Sequence, residues 1–323
     1  SYTGGTVVDQ GTLTANLGTT AGARFPFGSG LITLNAGSTL RMFAGSTANA
    51  MTFVNPINLN GATLTAEDAV QTYTGSIALT GANTVNVSYA AKDAIFSGIV
   101  SGAGSLTKAS AGLLRLSNAN TYSGGTSITG GTLLATHTDA LGSSGRSVTI
   151  NNAALTLASD VAVSSKNLTL ANTTSTNTIT LDRGNQTTTW GNFLTNTGTS
   201  AKTLAVNLGA AVNVPSTLAF SGAYTPQSGG AGLTFNVGAG VTVSMASATL
   251  TTGAQNWVLT KSGAGTLILP GWVNWDGAAA TTLSAGTLEL RGIMGDSTDF
   301  RALTASPGGT LRLATDAASS DFM

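Results

Sequence analysis

Cleavage of a glycosidic bond needs two carboxyl groups within about 5–10 Å of each other. In this chain the local acidic groupings are Glu67-Asp68 and Asp296/Asp299, with Asp182 beside Arg183. Neighbours on a strand point to opposite faces, so Glu67 and Asp68 would not form a pair. None of these groups has the basic and aromatic company of a sugar cleft, and each is expected to be a solvated turn. His137 is the sole histidine, in Thr136-His137-Thr138-Asp139. A Ser/His/Asp relay around it would rest on one residue, so it is expected to be a loop histidine. No cysteine is present, which removes disulfides and thiolate metal sites. The Gly-Gly-Thr segments lack the aspartate of calcium-binding Gly-Gly-x-Gly-x-Asp repeats, and no EF-hand or zinc spacing occurs. We therefore assign no catalytic residue, no cofactor and no metal. The remaining candidates are Trp272 and Trp275, in Gly271-Trp272-Val273-Asn274-Trp275-Asp276-Gly277. Two indoles on a protruding loop would suit a sugar ring or a protein partner, unless the loop packs back onto the fold. Trp190 and Trp257 are expected in side loops or at an edge.

The elements that would position such residues follow from composition. Of 323 residues, 8% are charged, 41% are hydrophobic and 42 are glycine, with zero net charge. Disordered chains pair low hydrophobicity with high net charge, so this chain folds. Its polar surface must be neutral hydroxyls and amides, which suit strands and turns. Thirteen basic side chains spread without a stripe make no field for phosphates, so no nucleic-acid partner is expected. No apolar run of about 18 residues exists to cross a bilayer as a helix.

Periodicity points to strands throughout. Leu31-Ile32-Thr33-Leu34, Val148-Thr149-Ile150, Leu168-Thr169-Leu170, Val241-Thr242-Val243 and Leu311-Arg312-Leu313 place apolar residues two apart, with Gly, Asn, Ser and Asp clusters between such runs. Internal repetition then selects the architecture. Tyr2-Thr3-Gly4-Gly5-Thr6 through Gly11-Thr12-Leu13 returns as Tyr122-Ser123-Gly124-Gly125-Thr126 through Gly131-Thr132-Leu133. Leu106-Thr107-Lys108 through Leu116 returns as Leu259-Thr260-Lys261 through Leu269. Units this short cannot bury an apolar face alone, but stacked coils can. The expected fold is all-β, a right-handed single-stranded parallel β-helix. It is expected to be one continuous domain over 1–323, with side loops in 155–255 and 270–281. At roughly 20 residues per coil it would make about 16 coils. Gly124, Gly125 and Gly131 are expected at corners with positive φ, and Asn118, Asn120, Asn151 and Asn152 at turns whose amides bond along the stack.

Residues 104 to 133 resemble the autotransporter-associated β-strand repeat. The likeness is carried by Gly104-Ser105-Leu106-Thr107-Lys108, Leu114-Arg115-Leu116, Asn118 to Tyr122, Gly124-Gly125-Thr126 and Gly131-Thr132-Leu133. The chain departs from the pattern at Ser110, where the repeat has glycine. The copy at Lys261-Ser262-Gly263-Ala264-Gly265 keeps both glycines and lacks the Gly-Gly-Thr half. The resemblance spans about a quarter of the chain. It implies an exported bacterial passenger with a right-handed parallel β-helix, located outside the cell or on its surface, and no enzymatic activity.

The first coil starts inside a repeat, and no capping helix is readable at residues 1–15 or 305–323. Bare end coils offer unpaired backbone rows. Expected partners are therefore a second copy stacked end to end or more of the same chain, and a glycan or cell surface. The function expected is a non-catalytic scaffold for adhesion or fibre assembly. The alternative is a carbohydrate-binding or polysaccharide-degrading β-helix.

Overall fold

The computed structural model describes residues 3–16, 22–24, 26–43, 50–143, 145–158, 160–161, 163–171, 176–195, 200–225, 232–247, 249–250, 258–270, 280–291 and 303–314. Trp257, Trp272, Trp275, Asp296 and Asp299 lie outside the described residues. Among the described residues there are strands and turns and no helix, and the strand pairings are parallel. The all-β parallel β-helix expected from the repeats is the observed fold. Two compact units are present, Ser1–Thr149 with Ala153–Ala162, and Ile150–Asn152 with Val163–Met323.

In the first unit each coil contributes one strand to each of up to three faces. One face stacks Thr6–Val8, Ile32–Leu34, Ile57–Asn60, Ile77–Thr80 and Val100–Gly102. The next stacks Gly11–Asn16, Ser38–Phe43, Thr63–Glu67, Ala82–Val87, Ser105–Ala109 and Thr126–Ile128. The third runs from Gly22–Arg24 through Met51–Phe53, Gln71–Tyr73, Asp93–Phe96, Leu113–Leu116 and Thr132–Ala135 to Ala154–Leu157. Alternation makes the core. Ile32, Ile57, Ile77 and Val100 form one inward row, and Leu34, Leu59 and Leu79 another. All are buried, each worth about 1.5–3 kcal/mol relative to exposure. On the third face Phe53 stacks on Tyr73 at a centroid distance of 5.1 Å, and Tyr73 meets Phe96 edge to face at 5.3 Å. The buried Tyr73 hydroxyl donates to Gln71 Oε1, and Gln71 Nε2 donates to the carbonyls of Met42 and Glu67.

The second unit repeats the plan. Its best-developed faces run from Thr176–Leu181 through Lys202–Leu208, Gly232–Val237, Val258–Ser262 and Ala280–Leu283 to Leu303–Ala305, and from Thr187–Trp190 through Ser216–Phe220, Val241–Ser244, Thr266–Pro270 and Gly286–Arg291 to Gly309–Ala314. Trp190 is core rather than edge or side loop: it is fully buried and in register with Phe220. An aromatic cluster gathers around Phe193, with Phe220 at 4.9 Å and Tyr224 at 5.3 Å.

Coils are longer than expected. Register partners are separated by 19 residues at Leu113 and Thr132, 24 at Arg41 and Thr65, 27 at Gly11 and Ser38, and 31 at Phe193 and Tyr224. The longest fall within 155–255. Asparagines at corners do bond along the stack, but mostly to backbone. Asn83 Oδ1 accepts from the amides of Gly61 and Ala62, while Nδ2 donates to the carbonyls of Thr80 and Gly81. Asn120 Oδ1 accepts from Val100 N at 2.8 Å and Nδ2 donates to Ala140 O at 2.7 Å. Amide-to-amide bonds occur elsewhere, from Asn60 to Asn35 and from Asn192 to Asn167.

Candidate contact surface

Acidic groups with a chemical reading in sequence are paired or apart. Glu67 ends its strand, and Arg41 of the preceding coil donates to it through Nε at 2.9 Å. Asp68 follows in the left-handed region with φ 71°, beyond the strand. Asp182 and Arg183 are exposed in the bend after Leu181. His137 lies in a turn, its Nδ1 accepting from Asp139 N at 3.1 Å, which makes it a loop-ordering group. A carboxylate missed in sequence is Glu289, 3% exposed and covered by Arg291 and Arg312 at 2.5 and 3.3 Å. Its partners are two residues away and one coil on, so only coil register reveals it. Among the described residues no group of three or more His, Cys, Asp or Glu side chains is placed to hold a metal ion.

The arrangement that recurs is a coil corner. Lys108 is fully buried in the inward row between Val85 and Ile128. Its Nζ donates to the carbonyls of Ala109 and Ser110 in its own coil, and of Gly130 in the next, at 2.8, 2.8 and 3.0 Å. Lys261 is fully buried between Phe235 and Leu283 and donates to Ser262, Gly263 and Ala285 at 2.8, 2.7 and 3.1 Å. The stem fills a hydrophobic row and the ammonium ends among the backbone carbonyls of the corner. Burial lowers both amines to about 8. Ser110 and Gly263 hold equivalent places with φ of 67° and 73°. The following glycines, Gly131 and Gly286, also have positive φ, and lie over the carbonyls of Ser110 and Gly112, or of Gly263 and Gly265. Gly124 differs from expectation. Its φ is not positive, nor is that of Gly125; a Cβ at Gly124 would meet Gly104 O at 2.2 Å, so close approach of coils requires glycine there.

These same segments, residues 106–135 and 259–290, together with 1–15, match the model of the passenger-associated-transport-repeat. The chain carries passenger repeats. A stretch of 110 residues, 34% of this chain, is 31% identical to the adhesin BmaC autotransporter of Brucella suis biovar 1 (strain 1330). That stretch amounts to 3% of the adhesin's length. No solved structure matches. The geometry explains why passenger repeats look as they do in sequence. Their lysine and glycines, 20 or more residues apart, are one corner in space.

Between corners, the coils present hydroxyls outward in register. In the first unit Thr12, Thr39, Thr63, Thr84, Thr107 and Ser127 form one column. The second unit has two more: Thr187, Thr217, Thr242, Thr266, Thr287 and Thr310, and Thr176, Thr203, Thr234, Thr260, Thr282 and Thr304. All are half-exposed or exposed. Cross-strand threonine pairs favour the sheet, and their hydroxyls donate and accept without charge. The recurrent Gly-x-Thr or Gly-Thr before leucine was the available signal. Aligning it into columns requires coil lengths that periodicity alone does not give.

Proposed function

We propose that this chain is part of an adhesin-like passenger, held outside the cell or on its surface, that acts by contact and not by catalysis. The observation that carries this reading is the passenger-repeat match on residues whose work is architectural, joined to the likeness to an autotransporter adhesin. Stacked coils turn a short repeat into a stiff frame, and the outward hydroxyl columns supply many neutral contacts at a spacing of about 4.8 Å along the stack. A glycan or another cell's surface is the partner we propose for them. Display of the chain on a non-adherent bacterium through an unrelated anchor tests this. Adhesion or autoaggregation above that of the anchor alone is expected, and none over a panel of host cells and glycan-coated surfaces would sink the reading.

Self-association through an end coil is the finer part of the proposal. On Gly309–Ala314, Leu311 and Leu313 continue the inward row of Leu288 and Leu290, yet are 40% and 53% exposed. A further coil, from a second copy or the same chain, would bury them and pair with this last described strand of the sheet. Electron microscopy with light scattering at rising concentration should show fibres or end-to-end pairs that Leu311→Lys/Leu313→Lys abolishes. Short monodisperse rods at high concentration would count against it.

A further inference from the structure

Stacked coils built from threonine, leucine and glycine have a register problem. A slip of two residues keeps every apolar side chain inside and every hydroxyl outside, because the side-chain period of a strand is two. Thr107 lies opposite Ser127; after such a slip it would lie opposite Thr129, and Leu106 would lie opposite Ile128. Neither the inward nor the outward pattern forbids this. A group within the repeat that does distinguish the two registers is the buried ammonium. We propose that the repeat lysine, Lys108 and again Lys261, is a register lock that selects which residue of the next coil stacks on its own.

The geometry of both copies supports this. Each lysine spends two of its three N–H donors on the carbonyls that follow it, which fixes the ammonium at its own corner. The third donor reaches forward to one carbonyl of the next coil, Gly130 or Ala285. In each copy that carbonyl immediately precedes the positive-φ glycine, Gly131 or Gly286, that sits on the lower corner. A slip of two residues moves the acceptor about 6–7 Å along the strand, beyond hydrogen-bond reach. The buried ammonium then loses a partner it cannot replace with water. A buried polar group used in this way gives up some stability relative to an apolar side chain and gains a single register. The lock differs from a general stabiliser because its removal should change which residues are neighbours, whatever it does to the melting point.

The natural absence of cysteine makes this measurable. In the full chain, Thr107→Cys/Ser127→Cys places thiols on direct partners, about 4.8 Å apart at Cα and within disulfide range. Thr107→Cys/Thr129→Cys reports the slipped register, since its thiols stand about 8 Å apart at Cα in the native one. With Lys108 intact, mild oxidation should close the first pair and leave the second open. Lys108→Met, which keeps the stem and removes the donors, should raise the yield of the 107/129 disulfide at least threefold at the expense of 107/127. Lys261→Met should do the same for Thr260→Cys/Ser284→Cys against Thr260→Cys/Thr282→Cys. Where a methionine variant does not fold by circular dichroism, leucine, which also lacks donors, replaces it and the same two yields are read. A folded variant that melts earlier but keeps the native cross-link alone would overturn the proposal, because the lysine would then be a stabiliser only.

Discussion

Substituting Gly131 by alanine separates two reasons for a corner glycine. Gly131 has φ +60°, a conformation costing an L-residue about 1–2 kcal/mol. An added Cβ would also stand 2.3 Å from Gly112 O and 2.6 Å from Ser110 O. Both contacts are backbone atoms, which cannot rotate away, so the two coils must part at this corner. Parting them weakens Thr132 N to Gly112 O and Ala154 N to Gly131 O, now 3.2 and 2.9 Å, at about 0.5–1.5 kcal/mol each. The sum is a loss of about 2–5 kcal/mol. Two controls isolate the terms. Gly11 has φ +80° with nothing within 4 Å of an added Cβ, so Gly11→Ala should cost only the conformational part. Gly125 has neither positive φ nor a contact closer than 3.3 Å, so Gly125→Ala should be nearly neutral. Stacked repeats open locally, so amide hydrogen exchange around each corner is the suitable assay, with urea melts as a check. The expected order of loss is Gly131→Ala, then Gly11→Ala, then Gly125→Ala. A Gly131→Ala no worse than Gly11→Ala would refute the close-approach argument.

Ser110→Gly should stabilise by about 0.5–1 kcal/mol, since it relieves a left-handed serine and loses only a 3.4 Å exposed contact to Asn86; a destabilised variant in a urea melt would contradict this. Asn120→Ala strands the buried Val100 amide and Ala140 carbonyl, for a loss of about 2–4 kcal/mol, whereas Asn118→Ala should cost less because its partner Ser97 is only part-buried. Burial holds Lys108 and Lys261 at about 8, below their ordinary 10.5. The unfolded chain then binds more protons between those values, so stability should be flat below pH 8 and rise from there toward 10.5. Melts across that range should lose the rise in Lys108→Met/Lys261→Met. Trp272→Ala/Trp275→Ala should reduce binding on a glycan array if those indoles are contact residues; unchanged binding would remove them from the contact surface.

How much of this was readable in advance depends on distance along the chain. The strand alternation at Leu31-Ile32-Thr33-Leu34 and the return of Leu106-Thr107-Lys108 at Leu259-Thr260-Lys261 were local signals, and they sufficed for the parallel β-helix. Lys108 was legible as a repeat residue but not as a buried one, because lysine is ordinarily a surface side chain. Its three acceptors include Gly130, one coil away. Trp190 reads as side loop or edge because it has little aromatic company in sequence; its true neighbour, Phe220, is thirty residues off in a long coil. The glycine roles divided for the same reason. Positive φ at Gly131 follows from local turn chemistry, while the close approach at Gly124 depends on Gly104 of the preceding coil.

This division of labour bears on what a passenger repeat is for. On one inward row, Phe53, Tyr73, Phe96, Leu116, Ala135 and Leu157 stay apolar from coil to coil. The row beside it runs Thr52, Thr72, Ile95, Arg115, Leu134 and Thr156, outward except at the covered Leu134, so its chemistry changes from one coil to the next. Corners and inward rows therefore carry the fold, and outward rows are released from it. A scaffold of this kind tolerates almost any contact chemistry on its faces without loss of stacking, provided that register holds. Register is the one property that the alternating pattern leaves undetermined. A buried lysine in two of the repeats, Lys108 and Lys261, spending its third donor on the next coil, supplies it where threonine and leucine cannot.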